Sequence, residues 1–242
     1  MKITELQKDL AATFRWAARL NMNEGVANHF SACVPGSSTD FYVNKAGIHF
    51  SRIKASDLIL VTKDNIEDLK TKPDVVDATA ISIHGTIHQK VPHAKCIFHV
   101  HSKYSTALSA LKDATLPPID QNTMRFFNRV SIYNEYGGMG FEDESIKMAS
   151  ALGNKQHMLL ANHGILTTGE TISEGFDALY YFEKSAETYL TALSTNKELN
   201  IVSDEIAEKT AQEWSDYPSD LARAHLDQIR LILDKEEPDY KN

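Results

Sequence analysis

The stretch Lys95-Cys96-Ile97-Phe98-His99-Val100-His101 decides how this chain of 242 residues is read. It is a short apolar run that begins just after Pro92, ends in two histidines and leads into Ser102–Leu111, which has helical character. Such a run reads as a buried strand. Side chains alternate along a strand, so His99 and His101 leave the same face, roughly 6.5–7 Å apart along the backbone. Two imidazoles placed this way are within reach of one ion. A third histidine follows a comparable run, Met158-Leu159-Leu160-Ala161-Asn162-His163-Gly164. If the two strands are neighbours, three imidazoles converge. Three protein nitrogens with an open position suit a catalytic metal site better than a closed structural one. The spacing is equally compatible with histidines that simply end two strands.

Working outward, Thr4-Glu5-Leu6-Gln7 is a capping box, and it predicts an amphipathic helix over residues 4–21 with Leu6, Leu10, Phe14 and Ala17 inward. Asn23-Glu24-Gly25 breaks it. The runs Phe30–Val34, Asp40–Val43 and Leu58–Thr62 are β-rich and split by Pro35-Gly36-Ser37-Ser38 and Ala46-Gly47, the pattern of antiparallel hairpins. Residues 76–90 read as a helix with Ile81, His84, Ile87 and His88 on one face. Further on come a strand at Arg129–Tyr133, the turn-rich Tyr136-Gly137-Gly138-Met139-Gly140, a helix at Asp143–Leu152, and two β runs, Met158–Asn162 and Gly164–Thr168. A second capping box, Thr171-Ile172-Ser173-Glu174, starts a long helix to about Ser194 with Phe176, Leu179, Phe182, Tyr189 and Leu193 inward. The remainder is charged and helical, and its tail, Lys235–Asn242, is expected to fray. No repeat or linker interrupts the chain. Residues 1–200 are therefore read as one α/β domain and residues 201–242 as a C-terminal helical extension.

Composition narrows the function. The chain carries 25 Lys and Arg against 33 Asp and Glu, a net charge of −8, with 42% hydrophobic residues, which is an ordinary globular mix. It has no basic cluster, which argues against nucleic-acid and anionic-membrane partners and leaves a small-molecule substrate. No apolar run is long enough for a membrane helix. The N-terminal MKITELQKDL has no apolar signal core, so a cytoplasmic address is the expectation. The two cysteines, Cys33 and Cys96, sit in apolar surroundings and read as reduced core residues. The one compositional oddity is ten histidines.

Four stretches are similar, in order and distance, to the class II aldolase/adducin head family. They are Asn28-His29-Phe30-Ser31, Ala46-Gly47-Ile48, His84 through the Pro92 turn to Phe98-His99-Val100-His101, and Asn162-His163-Gly164. The resemblance spans roughly residues 5–195. Asn28-His29 and Tyr133-Asn134-Glu135-Tyr136-Gly137-Gly138 look closer to the adducin-related bacterial branch than to the sugar-phosphate aldolases. It implies a single three-layer α/β domain whose central, mainly antiparallel sheet is flanked by helices, usually assembled as a C4-type homotetramer. It also implies a divalent ion, zinc first with Fe2+ or Mn2+ as alternatives, held by His99, His101 and His163. By the same analogy Asn28 and Gly47 would line the polar end of a substrate, although turn formation is the simpler role of each.

The departure from the family pattern is as informative. In the aldolases a glutamate one helical turn before the histidine matching His84 serves as metal ligand and base; Ala80 stands there in this chain. The two hydroxyl residues that help hold a substrate phosphate correspond to Ala78 and Thr79, leaving Thr79 as a substrate-binding candidate. Among replacement bases His29 comes first, because imidazole titrates near neutrality. Tyr133 and Tyr136 are acid candidates in a Gly-rich segment, with ordinary packing as their simpler role. Asp77 reads as a helix cap, and His84 and His88 as packing against the sheet before metal binding. His49, His93, His157 and His225 fall in loops or charged helices with no specific role. The leading expectation is a lyase of the aldolase type, acting on a small hydroxy-carbonyl or hydroxy-acid substrate through an enediolate stabilised by the bound ion. A three-histidine iron oxygenase or decarboxylase, and a non-catalytic adducin-like oligomeric module, are the alternatives.

Overall fold

The capping box at Thr4 forms: the Thr4 hydroxyl accepts from the Gln7 amide, and the Gln7 side chain accepts from the Thr4 N–H. It starts α1 (Glu5–Arg19). The computed structural model describes residues 3–139, 141, 143–218 and 220–242, so Gly140 of the Gly-rich turn lies outside the described residues. Strands β1 (His29–Cys33), β2 (Phe41–Asn44) and β3 (Leu58–Val61) make the antiparallel hairpins read from the turn residues between them. Helices α2 (Ile66–Lys70) and α3 (Ala78–Lys90) follow, and the Asp77 carboxylate caps α3 by accepting from the Thr79 amide. Next come β4 (Cys96–Val100), α4 (Lys103–Ser109), α5 (Gln121–Arg125), β5 (Val130–Tyr133) and α6 (Asp143–Leu152). The chain ends with β6 (His157–Leu160), β7 (Gly164–Gly169), α7 (Ile172–Leu193), α8 (Asp204–Ser215) and α9 (Leu221–Glu236).

The strands form one sheet in the order β3-β2-β1-β4-β7-β6-β5. All pairs are antiparallel except β5–β6. β4 is central and buried on both faces, which is why it reads as an unbroken apolar run. Cys96, Phe98 and Val100 meet a cluster that includes Phe14 of α1, Phe176 and Phe182 of α7, and Ile229 of α9. Full burial of each such side chain contributes about 1.5–3 kcal/mol. The approach is close: a Cβ on Gly175 would lie 2.6 Å from the Phe98 ring. On the opposite face Ile97 joins Ile83 and Ile87 of α3 with Met148 and Leu152 of α6. Nearer the β3 edge, Cys33, Phe41 and Val43 pack with Leu69 of α2 and Ile81 of α3. The layers are therefore helix, sheet, helix, as the resemblance implied. Both cysteines are free and buried.

Three expectations are corrected. The tail does not fray: Tyr240 is fully buried, its hydroxyl donates to Asp234 at 2.9 Å, and the Asn242 carbonyl accepts from the Ser56 amide at 2.9 Å. The buried Arg15 guanidinium bonds Glu237 and Asp239, both at 3.0 Å. The tail expected to fray is thus an anchor, because a buried cation requires these carboxylates. Leu193 is exposed, since α7 extends beyond the layer it packs on. His157 is not in a loop but buried in β6.

Candidate metal centre

Strand register brings the histidines together. β1 and β4 pair with His29 opposite His99, and β4 and β7 pair with Val100 opposite Ile165. Leu160 pairs with Gly164 across the tight β6–β7 turn. Asn162 in that turn has φ +55°, a left-handed conformation that Asn tolerates better than most residues. Gly164 is sterically required: a Cβ there would stand 2.4 Å from the Val100 carbonyl oxygen and 3.1 Å from the His101 ring. The turn therefore carries His163 back over the end of β4. Ring centroids of His99, His101 and His163 lie 4.6–4.9 Å apart. One ring nitrogen from each falls within 4.8 Å of the others.

Hydrogen-bond polarity tests whether this set fits a metal. The His99 Nδ1–H donates to the Ile165 carbonyl at 3.0 Å, and the His101 Nδ1–H donates to the Glu24 carboxylate at 2.6 Å. Both Nε2 atoms are thereby turned inward, 3.1 Å apart. Two lone pairs facing at that distance repel unless one cation, a proton or a metal ion, lies between them. A carbonyl and a carboxylate behind the imidazoles are the usual outer partners of metal-binding histidines. Burial depresses His99 well below its ordinary pKa. It brings His163 down to about 4, with His101 adding to the effect. His99 and His163 are thus neutral near pH 7, the form that binds metals. The donor set fits a divalent ion.

Two supporting groups had not been singled out in the sequence. Glu24 read only as part of a helix break. Glu183 of α7 is a buried carboxylate that accepts from the Ser102 hydroxyl at 2.6 Å, the Tyr104 and Ser105 amides at 2.9 Å and the Ser105 hydroxyl at 2.6 Å. It fixes the first turn of α4 directly behind His101.

On the same face of the sheet, packed against α3, a second group forms. His29, Ser31 and Cys33 alternate toward α3, where His84 and His88 are one turn apart. His29 Nδ1 lies 2.7 Å from His84 Nε2; Ser31 Oγ lies 2.5 Å from His84 Nδ1 and 2.7 Å from His88 Nε2. His88 Nδ1 lies 2.6 Å from the Ala94 carbonyl. Burial lowers His29 and His88 to about 4 and His84 well below its usual value.

The other sequence candidates are distributed unevenly. His29 touches the outer cluster, with ring centroids 5.1 Å from His99, and its Nε2 lies 3.3 Å from the Thr79 hydroxyl. The exposed Tyr136 ring stands 6.4 Å from His163. Tyr133 belongs instead to the apolar cluster of Met148, Leu152 and Leu160. Asn28, at φ +76°, accepts from the Glu24 amide at 3.0 Å, and its Nδ2 is buried without a partner among the described residues. Gly47 turns in open space at φ +73°, and nearby His49 bonds Asn23 at 3.0 Å. Ala80 leaves no gap at the site, because it packs in the apolar cluster with Val76 and Ile81. The residue of α3 that reaches His29 is Thr79.

Residues 8–190 match the Class II Aldolase and Adducin N-terminal domain. The chain belongs to this family. An aldolase II superfamily protein from Pseudomonas syringae has a similar structure, with a TM-score of 0.86 and 28% identity over 98% of this chain and 95% of its own. The L-fuculose 1-phosphate aldolase of Glaciozyma antarctica superposes with a TM-score of 0.83 and 27% identity over 98% of this chain and 92% of its own. Decarboxylase NovR of Streptomyces niveus is 27% identical over 88% of this chain and 73% of its own length. In this class II aldolase/adducin family member, no helix among the described residues is long and apolar enough to cross a membrane.

Proposed function

We propose that this family member is a metal-dependent lyase of the aldolase type, acting on a small hydroxy-carbonyl or hydroxy-acid substrate. The observation that carries the reading is the inward-facing Nε2 pair of His99 and His101, 3.1 Å apart, with His163 completing the set. A divalent ion held there, zinc first and Fe2+ or Mn2+ as alternatives, would supply Lewis-acid stabilisation of the negative charge that builds on the substrate's oxygens. His29 is the general base. Burial holds it near 4, so it is unprotonated at neutral pH and suits a proton that is already acidic, as beside a polarised carbonyl. The unpaired Asn28 Nδ2 and the Thr79 hydroxyl offer polar contacts to the substrate. Tyr136, exposed beside His163, can donate a proton to the leaving fragment. Tyr133 supports this segment from the apolar cluster. Gly47 shapes the loop that leads to His49 and Asn23. The reading includes a homotetramer, which light scattering of the purified protein would show.

The test is cleavage of a panel of sugar phosphates and hydroxy acids by zinc-loaded protein, with a His99→Ala/His101→Ala variant as blank. Carbonyl product above the blank is expected; none with any substrate sinks the proposal. A second reading, an iron-dependent oxygenase or decarboxylase, is favoured by Ala80 and by a donor set of three histidines with no carboxylate, together with the likeness to NovR. Protein isolated without added metal would then contain iron and consume oxygen with a hydroxy-acid substrate. Zinc alone with no oxygen uptake excludes this second reading.

A further inference from the structure

The proton on each inner histidine follows from one backbone carbonyl. The Ala94 oxygen can only accept, so His88 Nδ1, 2.6 Å away, carries the hydrogen. His88 is buried and neutral, so its Nε2 is a lone pair and takes the Ser31 hydroxyl proton across 2.7 Å. Ser31 has no second proton. Its oxygen therefore accepts from His84 Nδ1–H at 2.5 Å. His84 Nε2 is then the lone pair, and it accepts from His29 Nδ1–H at 2.7 Å. The opposite polarity fails at Ser31, whose single proton cannot serve both rings. Cys33 Sγ, 3.3 Å from His88 Nδ1, does not alter the order, because a proton on the thiol side would leave His88 Nδ1 facing the Ala94 carbonyl with a lone pair.

The consequence falls on His29 Nε2, which is left as a lone pair. The nearest hydroxyl, Thr79, lies 3.3 Å away but gives its proton to the Asp77 carboxylate at 2.5 Å. No donor among the described residues satisfies this nitrogen, which lies on the ring that contacts His99. Which ring nitrogen of a histidine is protonated is set by the bond the other one makes. We propose that Ser31, His84 and His88 are positioning residues that lock His29 in its Nδ1–H tautomer, so that Nε2 stands open as the proton acceptor of the site. This rests on the role of His29 given under the proposed function. It adds that the role depends on a hydrogen-bond chain that runs from β1 through α3 to the Ala94 carbonyl just before β4.

Neutron diffraction of zinc-loaded, deuterium-exchanged crystals of the full chain reads the lock directly. Deuterium is expected on Nδ1 of His29, His84 and His88, with the Ser31 deuteron directed at His88. Deuterium on His29 Nε2 overturns the proposal. In solution, Ser31→Ala should lower kcat by roughly tenfold or more. KM and bound zinc should stay within about twofold, because the metal ligands are not altered, and Ser31→Thr, which restores a hydroxyl, should recover kcat. An unchanged kcat in Ser31→Ala overturns the positioning role. If Ser31→Ala does not fold, the neutron map of the unaltered chain decides. The expected deuterons in a protein that turns over none of the substrate panel would uphold the lock and overturn only the functional reading that it serves.

Discussion

Two groups of three histidines lie on the same face of the sheet, yet they are built oppositely. In the outer group, His99, His101 and His163, the N–H groups of His99 and His101 are spent outward on Ile165 and Glu24, and the free nitrogens face one another. In the inner group, His29, His84 and His88, the ring nitrogens alternate with acceptors and donors, and the chain ends on the Ala94 carbonyl. Proximity gathers the rings in both groups, but among the described residues one nitrogen from each of three rings comes within 4.8 Å only in the outer one. The difference is whether the lone pairs have hydrogen-bond donors already. The inner group is closed by hydrogen bonds at every link except His29 Nε2, whereas the outer group needs a cation to be complete.

The largest expected effect breaks the comparison at its outer half. Replacing His99 and His101 together by alanine should abolish stoichiometric metal binding, measured by elemental analysis, whereas His84→Ala should retain it. Equal losses in both variants would erase the distinction. Next, Glu24→Ala should weaken metal affinity by about 10–100-fold in a chelator competition, because the outer partner that orients His101 is removed. His88→Ala should leave metal content unchanged but lower unfolding free energy by about 1–3 kcal/mol in urea, since the Ser31 hydroxyl and the Ala94 carbonyl lose a buried partner. A metal loss in this variant would mean that the two groups are one unit.

A further effect, which leaves the metal-binding comparison untouched, is graded with pH. His88 at about 4 and His157 at about 3 bind protons more weakly in the folded chain than in the unfolded one, mainly because they are buried. Between pH 6.5 and about 4 the unfolded state therefore takes up more protons, and stability falls as pH falls. Each such ring contributes up to about 1.4 kcal/mol per pH unit in that window. The thermal midpoint should decline steadily below pH 6.5; a flat profile to pH 4 would show that these rings are not buried neutral.

Local pattern made much of this legible. Period-two alternation placed His99 and His101 on one face, and the capping boxes at Thr4 and Thr171 located the ends of α1 and α7. Gly164 stood out beside His163, although the collision with Val100 that demands a glycine appears only once β4 and β7 are paired. What stayed hidden depends on long-range packing. Glu24 is 77 residues from His101 and Glu183 is 81 from Ser102, so no local spacing connects them. The chain from His29 to His88 requires β1 to lie under α3. Ala80 read as a missing base at the site; it lies in the apolar cluster with Val76 and Ile81, and Thr79 takes the contact with His29. The tail read as frayed because nothing in its local sequence names its partner, the buried Arg15 more than 220 residues away.

The most direct test is an anomalous-diffraction map of zinc-soaked crystals of the full chain. One peak per chain is expected, with ring nitrogens of His99, His101 and His163 at about 2.0–2.1 Å from it. A peak between His84, His88 and Cys33, with none at the ends of β4 and β7, would contradict the account.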